Sequence, residues 1–149
     1  MQQDRASRVA PVIDMAARAE REAATNLGRC QRLLTQAEVK QGELERYRGD
    51  YQQQWLTQGQ QGVSGQWLMG YQRFLSQLET AIDQQRQAAA WHLNSVNKAR
   101  ELWQQRYARL EALRKLVQRY QHEARLAEDK REQKMLDELA QRLTSTPQR

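Results

Sequence analysis

The side chains with the greatest chemical potential in this sequence are one cysteine, Cys30, and two histidines, His92 and His122. The histidines lie thirty positions apart, which is not the close spacing of a zinc-ligand pair on one helix. One cysteine can form neither an internal disulfide nor a cysteine-rich metal site, and no base that would deprotonate its thiol is evident near it. The sequence therefore predicts no catalytic residue, no metal ligand and no cofactor.

Other signatures of enzymes and membrane proteins are also missing from the pattern. The carboxylates are spaced as helix-surface charges, and no glycine-rich phosphate loop follows a strand. No apolar run approaches the roughly 20 residues of a membrane span, and the amino terminus lacks the basic-then-apolar pattern of a signal peptide. We expect a cytoplasmic, noncatalytic protein.

The composition favours long helices over a compact globule. The chain has 149 residues, of which 39% are hydrophobic, with a single Phe and two Pro. Much of the remainder is Gln, an uncharged residue with good helix propensity. A narrow apolar stripe along each helix fits this mixture, and disorder is the alternative that such polarity raises.

Apolar residues recur at alternating steps of three and four, which is the seam pattern of a coiled coil. Eleven of fourteen seam positions are apolar in the first half of the chain, and fourteen of seventeen in the second half. The first set is Val9, Ile13, Ala16, Glu20, Ala23, Leu27, Cys30, Leu34, Ala37, Gln41, Leu44, Arg48, Tyr51 and Trp55. The second set is Tyr71, Leu75, Leu78, Ile82, Gln85, Ala89, His92, Val96, Ala99, Trp103, Arg106, Leu110, Leu113, Val117, Tyr120, Ala124 and Ala127. A disordered chain would not hold this phase, so the pattern predicts two long helices, at about residues 5–57 and 66–143.

A glycine-rich turn, residues 58–65, separates the two helices. We expect Gly59 to take the left-handed conformation that ends the first helix, and Ser64 to cap the second. A short connection makes the helices antiparallel neighbours. The sequence therefore predicts an all-α fold, a single antiparallel coiled-coil hairpin spanning residues 1–149 with a longer C-terminal helix, in which residue i faces roughly residue 123 − i.

This register leaves the second helix without an intramolecular partner after about residue 120. Some two dozen residues would project by roughly 35 Å. Apolar residues resume there on a rotated face, at Leu136, Ala140 and Leu143. The rotated stripe indicates a separate partner; the alternatives are that the segment dimerises or frays.

The charge distribution suggests partners without a specific motif. The net charge is +6, and residues 98–131 hold ten Lys or Arg against five Asp or Glu. Nucleic-acid binding is one interpretation of such a segment. Because the basic residues are interleaved with acids at helical spacing, an acidic protein partner fits better.

Six aromatic residues gather near the turn, and a narrow seam cannot bury them all. They are Tyr47, Tyr51, Trp55, Trp67, Tyr71 and Phe74. Exposed aromatic clusters are typical of protein-interaction sites; the alternative is that the rings pack across the hairpin end and close it. A second apolar stripe, beside the seam, contains Phe74, Leu78, Ala81 and Gln85.

Five stretches of the chain, taken in order and spacing, resemble the FliJ family of bacterial flagellar export proteins along nearly the whole length. They are AATNLG at 23–28, YRGDY at 47–51, the glycine-rich turn, YQRFLSQLETAIDQQ at 71–85 and EQKMLDELAQR at 132–142. FliJ proteins are similar in architecture to the coiled-coil stalk of the rotary ATP synthase gamma subunit. The resemblance implies a noncatalytic component of the flagellar type III export apparatus.

The resemblance also implies contacts with two other proteins of the export apparatus. The end bearing both termini would insert into the ring of the export ATPase FliI and promote its assembly and activity. The residues expected at that contact are Glu132, Gln133, Lys134, Asp137, Glu138 and Arg142. The opposite end would bind the export gate FlhA, through Leu44, Tyr47, Tyr51, Phe74, Leu78, Ala81 and Gln85. Gln85 departs from the histidine found at that place in some relatives.

Escort of export chaperones is a third implied role, without a site that the residues locate. The resemblance also implies a protein that is a monomer when free and that is held at the inner face of the cell membrane, at the flagellar base, only through its partners. Two alternatives from other classes stay open. A generic oligomeric scaffold predicts a concentration-dependent dimer, and a basic nucleic-acid-binding hairpin predicts binding that falls steeply with salt.

Overall fold

The computed structural model describes residues 2–145, with side chains from Arg5 onward, and these residues form two long helices. Helix α1 runs over Gln2–Gly59 and α2 over Gly65–Thr144. The two helices pack against each other, and the described residues contain no strand. The predicted all-α class, with a longer second helix, is confirmed.

The packed residues fall into two compact units, each containing part of both helices. The hairpin unit is Ala23–Trp103 and includes the connection between the helices. The terminal unit comprises the described residues up to Glu22 and from Gln104 onward. The single-domain organisation expected from the sequence stays a prediction.

The seam of the hairpin unit follows the predicted heptad pattern. Every predicted seam position in this unit is buried or half-buried. Cys30 packs with Val96 and Ala99, with Leu27 and Leu34 against them. Cross-helix neighbours such as Tyr51 with Tyr71, Trp55 with Trp67, and Gln85 with Ala37 have residue numbers that sum to 122, close to the predicted register.

The terminal unit has a sparser seam. Ala16 and Leu110 are its buried apolar residues, whereas the predicted seam residue Arg106 is exposed. The Arg5 guanidinium lies 6.0 Å from the ring centroid of Tyr120, within the range of a cation–π contact. Half-buried residues continue to Ala127, so packing extends about two turns beyond the predicted limit near residue 120. The packing extends further partly because α1 begins at Gln2, a few residues earlier than predicted, and so offers α2 a longer partner.

The left-handed backbone conformation of the connection lies at Gly62 rather than at Gly59. Gly62 has a φ of 86° and is the one described residue with a positive φ. The N–H of Gln61 donates to the Gln58 carbonyl at 3.0 Å, and that of Gly62 to Gly59 at 3.3 Å, so tight turns extend past the helix end before the reversal. The prediction for Gly59 was wrong. The predicted cap is confirmed, because the Trp67 N–H donates to Ser64 Oγ at 3.1 Å.

Two glycine substitutions are expected to change stability in opposite directions. Gly62→Ala forces a Cβ into a left-handed conformation and should lower the free energy of unfolding by about 1 kcal/mol. Gly49 lies inside α1 with open space around its Cα, so Gly49→Ala should raise that free energy by roughly 0.5–1 kcal/mol. Urea unfolding of both variants measures the difference. Equal shifts of the same sign would contradict this account of the turn.

Candidate protein-binding sites

The six aromatic residues near the turn form one connected cluster in the hairpin unit, which we call the tip cluster. Tyr71 stacks on Tyr51, Trp55 and Trp67 at centroid distances of 5.0, 4.8 and 5.9 Å. Phe74 joins the cluster through Tyr51 at 4.5 Å and Tyr47 at 6.0 Å. Tyr71 is buried, and this burial raises the pKa of its phenol, with smaller effects from Tyr51 and Glu79. Ring packing across the two helices therefore closes this end of the hairpin.

The tip cluster still presents surface to solvent. The Tyr47 side chain is 52% exposed, and the nearby aliphatic residues Leu56, Val63 and Met69 are exposed as well. The Trp55 indole N–H is shielded from solvent, with no hydrogen-bond partner among the described residues. Leaving such a donor unpaired costs about 1–3 kcal/mol. The exposed side chains are typical of a surface that a partner completes.

The tip also lacks charge, which our interpretation of the sequence missed. Residues 51–72 include no Asp, Glu, Lys, Arg or His, although 28% of the chain is charged. Counting charges in a sliding window would have found this segment. A neutral, aromatic surface favours a partner bound by apolar contacts rather than by ion pairs.

Of the seven residues predicted to bind the export gate, one is exposed, one is buried and five are half-buried. Tyr47, Tyr51 and Phe74 belong to the tip cluster, and Ala81 is half-buried. Leu78 is only 7% exposed and lies in the core. Gln85 is half-buried, and its Nε2 donates across the seam to the Ala37 carbonyl at 3.2 Å. Leu44 is a half-buried seam residue. The structure thus brings Tyr47, Tyr51 and Phe74 together, and places Leu78 and Gln85 between the helices.

An ion pair joins the helices on the other side of the hairpin unit. Arg86 Nη2 lies 2.8 Å from Glu45 Oε1. Hydrogen bonds from Arg86 and then from Gln41 lower the pKa of the Glu45 carboxyl. Both side chains are partly exposed, and such pairs contribute little to stability.

The Glu45–Arg86 pair gives a small pH dependence with a defined sign. Because the pKa of Glu45 is lowered in the folded state, the pair makes its full contribution to folding stability above the ordinary pKa of 4.5. That contribution is lost as the pH falls through the folded-state pKa. We expect the stability difference between the native chain and Glu45→Gln to be largest near neutral pH and to disappear in strong acid. Urea midpoints at both pH values measure it; a difference that grows in acid would be inconsistent with the pair.

The second candidate site is the last part of α2, in the terminal unit. All described residues from 128 to 145 are exposed. The six residues predicted to bind the ATPase lie here, and Gln133 Nε2 donates to Asp137 Oδ1 at 3.2 Å. A shallow groove on this helix is lined by Glu132, Met135, Leu136, Glu138, Leu139 and Arg142. Three of the predicted residues, Glu132, Glu138 and Arg142, therefore border an apolar surface.

The apolar surface is a stripe that runs through Met135, Leu136, Leu139 and Leu143, which are 54–73% exposed. We call it the C-terminal stripe. The interpretation of the sequence placed Leu136 and Leu143 on this face but missed Met135 and Leu139, although spacings of three and four residues predict both. Four exposed apolar side chains on one helix face are typical of a protein-binding surface.

Two further features bear on the class of protein. None of the helices, within the described residues, is long and apolar enough to cross a membrane. The same residues hold no group of three or more His, Cys, Asp or Glu side chains that could bind a metal ion.

Comparisons with known proteins identify the relatives of this chain. The family model described as "Flagellar FliJ protein" matches residues 5–149. The flagellar FliJ protein of Escherichia coli K12 is 33% identical over 134 residues, which cover 90% of this chain and 91% of that protein. The flagellar FliJ protein of Salmonella typhi is 33% identical over 129 residues, covering 87% and 88% of the two chains. The two-helix chain described here belongs to the flagellar FliJ protein family.

Proposed function

We propose that this chain is a noncatalytic component of the bacterial flagellar protein export apparatus that contacts the export ATPase FliI through one site and the gate FlhA through another. Membership of the FliJ family supports an export role. The observation that carries the proposal is the end of α2, where all described residues from 128 are exposed yet the helix bears an apolar stripe. A stable helix with such a face requires a partner.

The ATPase contact in this proposal combines the C-terminal stripe with its charged border. Leu136, Leu139 and Leu143 supply apolar area, and removing that area from water favours binding by about 25 cal/mol per Å². Charged neighbours of both signs would fix the orientation of the helix on the ring. Three of the predicted contact residues, Glu132, Glu138 and Arg142, line the stripe. The other three, Gln133, Lys134 and Asp137, lie on the rest of the same helix segment. Binding here would promote assembly of the ring and its ATP hydrolysis.

The gate contact in this proposal uses the exposed part of the tip. Tyr47, Phe74 and Ala81 would touch FlhA, and Tyr51 would support the two rings. Leu44, Leu78 and Gln85 would act indirectly, because they hold the two helices in register beneath that surface. An aromatic contact centre of this kind is typical of the residues that dominate binding energy.

A surface substitution at the tip tests the gate contact. Tyr47→Ser should weaken binding to the cytoplasmic region of FlhA at least tenfold, because it removes the exposed aromatic ring, and should leave binding to FliI unchanged. The matched control is Val39→Ser, which changes an exposed apolar residue of α1 in the same unit. Calorimetric titration with each partner measures the affinities. Equal losses for both partners in a folded variant would refute separate sites.

Transport of export chaperones is a further part of the proposal, without assigned residues. The chain would work in the cytoplasm and reach the inner face of the membrane at the flagellar base only through FliI and FlhA. It would be a monomer when free. A concentration-dependent dimer with the C-terminal stripes paired would favour the scaffold alternative instead, and sedimentation equilibrium distinguishes the two.

A further inference from the structure

The hairpin unit has two sides of different chemistry flanking its seam. The Glu45–Arg86 ion pair marks the charged side. The Tyr47–Phe74 ring contact marks the other, aromatic side. In a heptad pattern, residues at multiples of seven from these markers lie on the same side.

Helix α2 presents small or apolar residues along its aromatic side. Steps of seven from Phe74 lead to Ala81, Ala88, Ser95 and Leu102. Ser95 Oγ donates to the Trp91 carbonyl at 3.1 Å, so its hydroxyl is already satisfied within the helix. The middle three side chains are half-buried and short. They leave a shallow channel that a neighbouring helix could approach closely.

Larger apolar side chains border this channel. Trp91 lies one turn from both Ala88 and Ser95 and is 65% exposed. Leu33 on α1, two heptads before Tyr47, is 36% exposed, and Leu102 is 40% exposed. We call the set Leu33, Ala88, Trp91, Ser95 and Leu102 the lateral groove. On α2 it spans roughly 21 Å, from Ala88 to Leu102, or about four helical turns.

Most of the charges around the lateral groove are basic. Arg29 and Lys40 on α1, and Lys98 on α2, occupy the positions that border it. Two carboxylates, Glu43 and Glu101, lie one turn from Lys40 and Lys98. A ligand for this groove should therefore have an apolar centre and acidic edges.

We propose that the lateral groove binds an amphipathic helix of a partner protein, with acidic residues on both edges of its apolar face. The bound helix would lie along the hairpin unit as a third helix of the coiled coil, with its apolar residues between Trp91 and Leu33. This is the helix-in-groove mode of recognition. The proposal is independent of the FliI and FlhA contacts, because it uses neither the C-terminal stripe nor the tip cluster.

A synthetic peptide tests the proposal with the full-length chain. The probe is an 18-residue helical peptide with leucines at alternating spacings of three and four and glutamates on both edges. It is labelled for fluorescence anisotropy and used below the concentration at which it self-associates. We expect saturable binding that weakens with salt. A version with lysine edges should bind at least tenfold more weakly.

Three variants of the chain place the site. Trp91→Ser and Leu102→Ser should each weaken peptide binding about tenfold, and Ala88→Glu should do so by filling the channel with a like charge. The matched control is Leu93→Ser: Leu93 is 50% exposed, two residues from Trp91, and lies on the charged side, so this change should have no effect. Circular dichroism identifies the folded variants. If Trp91→Ser does not fold, Ala88→Glu and Leu102→Ser still test whether the peptide binds at the lateral groove.

Three results of the peptide titrations would overturn the proposal. They are the absence of saturable binding, equal binding of the glutamate and lysine peptides, and an equal loss with Leu93→Ser. Self-association of the chain that Trp91→Ser abolishes would also overturn it, because the occupant would then be a second copy of this chain.

Discussion

Replacing Ile82 with alanine is expected to lower the free energy of unfolding by about 3 kcal/mol. Ile82 is 0% exposed and is the most completely buried large side chain of the described residues. Alanine would leave a cavity between two helices, and a two-helix hairpin has few other side chains that could move to fill it. Urea unfolding followed by circular dichroism measures the change. This is the largest effect on stability that we expect from one aliphatic substitution.

The control for Ile82 is Leu93→Ala. It removes a similar number of carbon atoms from a side chain that is 50% exposed, so its effect should stay below about 1 kcal/mol. Similar losses for the two variants would mean that Ile82 does not lie in a packed seam.

Replacing Leu136 and Leu143 together with serine is expected to weaken binding to the export ATPase about a hundredfold or more. Burying a leucine side chain contributes roughly 1.5–3 kcal/mol, and each 1.4 kcal/mol corresponds to a factor of ten in affinity. Both leucines are exposed in the free chain, so the substitution should not destabilise the fold. Calorimetric titration of FliI with the native and double-variant chains measures the loss.

Leu126→Ser is the matched control for the C-terminal stripe. Leu126 is 52% exposed on the same helix, but it lies on a different face. Its substitution should leave the affinity for FliI within about twofold. Loss of binding in this control, or unchanged binding in the double variant, would remove the C-terminal stripe from the ATPase contact.

The arrangement of the helices could be predicted because the same spacing of apolar residues recurs in one heptad after another. Seam residues such as Cys30 and Val96 are buried as the spacing of three and four predicts. Short-range chemistry was equally informative at Ser64, whose hydroxyl caps α2. The left-handed conformation was predicted at Gly59 but occurs at Gly62, because several glycines can adopt a positive φ and only the hydrogen bonds of the turn select one.

The candidate sites were less predictable, because exposure depends on both helices. Leu78 matched the seam and the second stripe equally well in the sequence, and only the packed structure shows it buried. Gln85 likewise proved to donate a hydrogen bond across the seam. The lateral groove requires knowledge of which side of α1 meets which side of α2. Such knowledge comes from contacts such as Glu45 with Arg86.

The most direct test of the proposed export function is the rate of ATP hydrolysis by purified FliI from the same bacterium, measured with and without this chain. Full-length protein, monomeric by sedimentation, should increase the rate. A chain truncated after Ala127, the last half-buried residue of α2, should not. If the folded full-length chain fails to stimulate hydrolysis, or if the truncated chain stimulates it equally, the proposed ATPase contact is wrong.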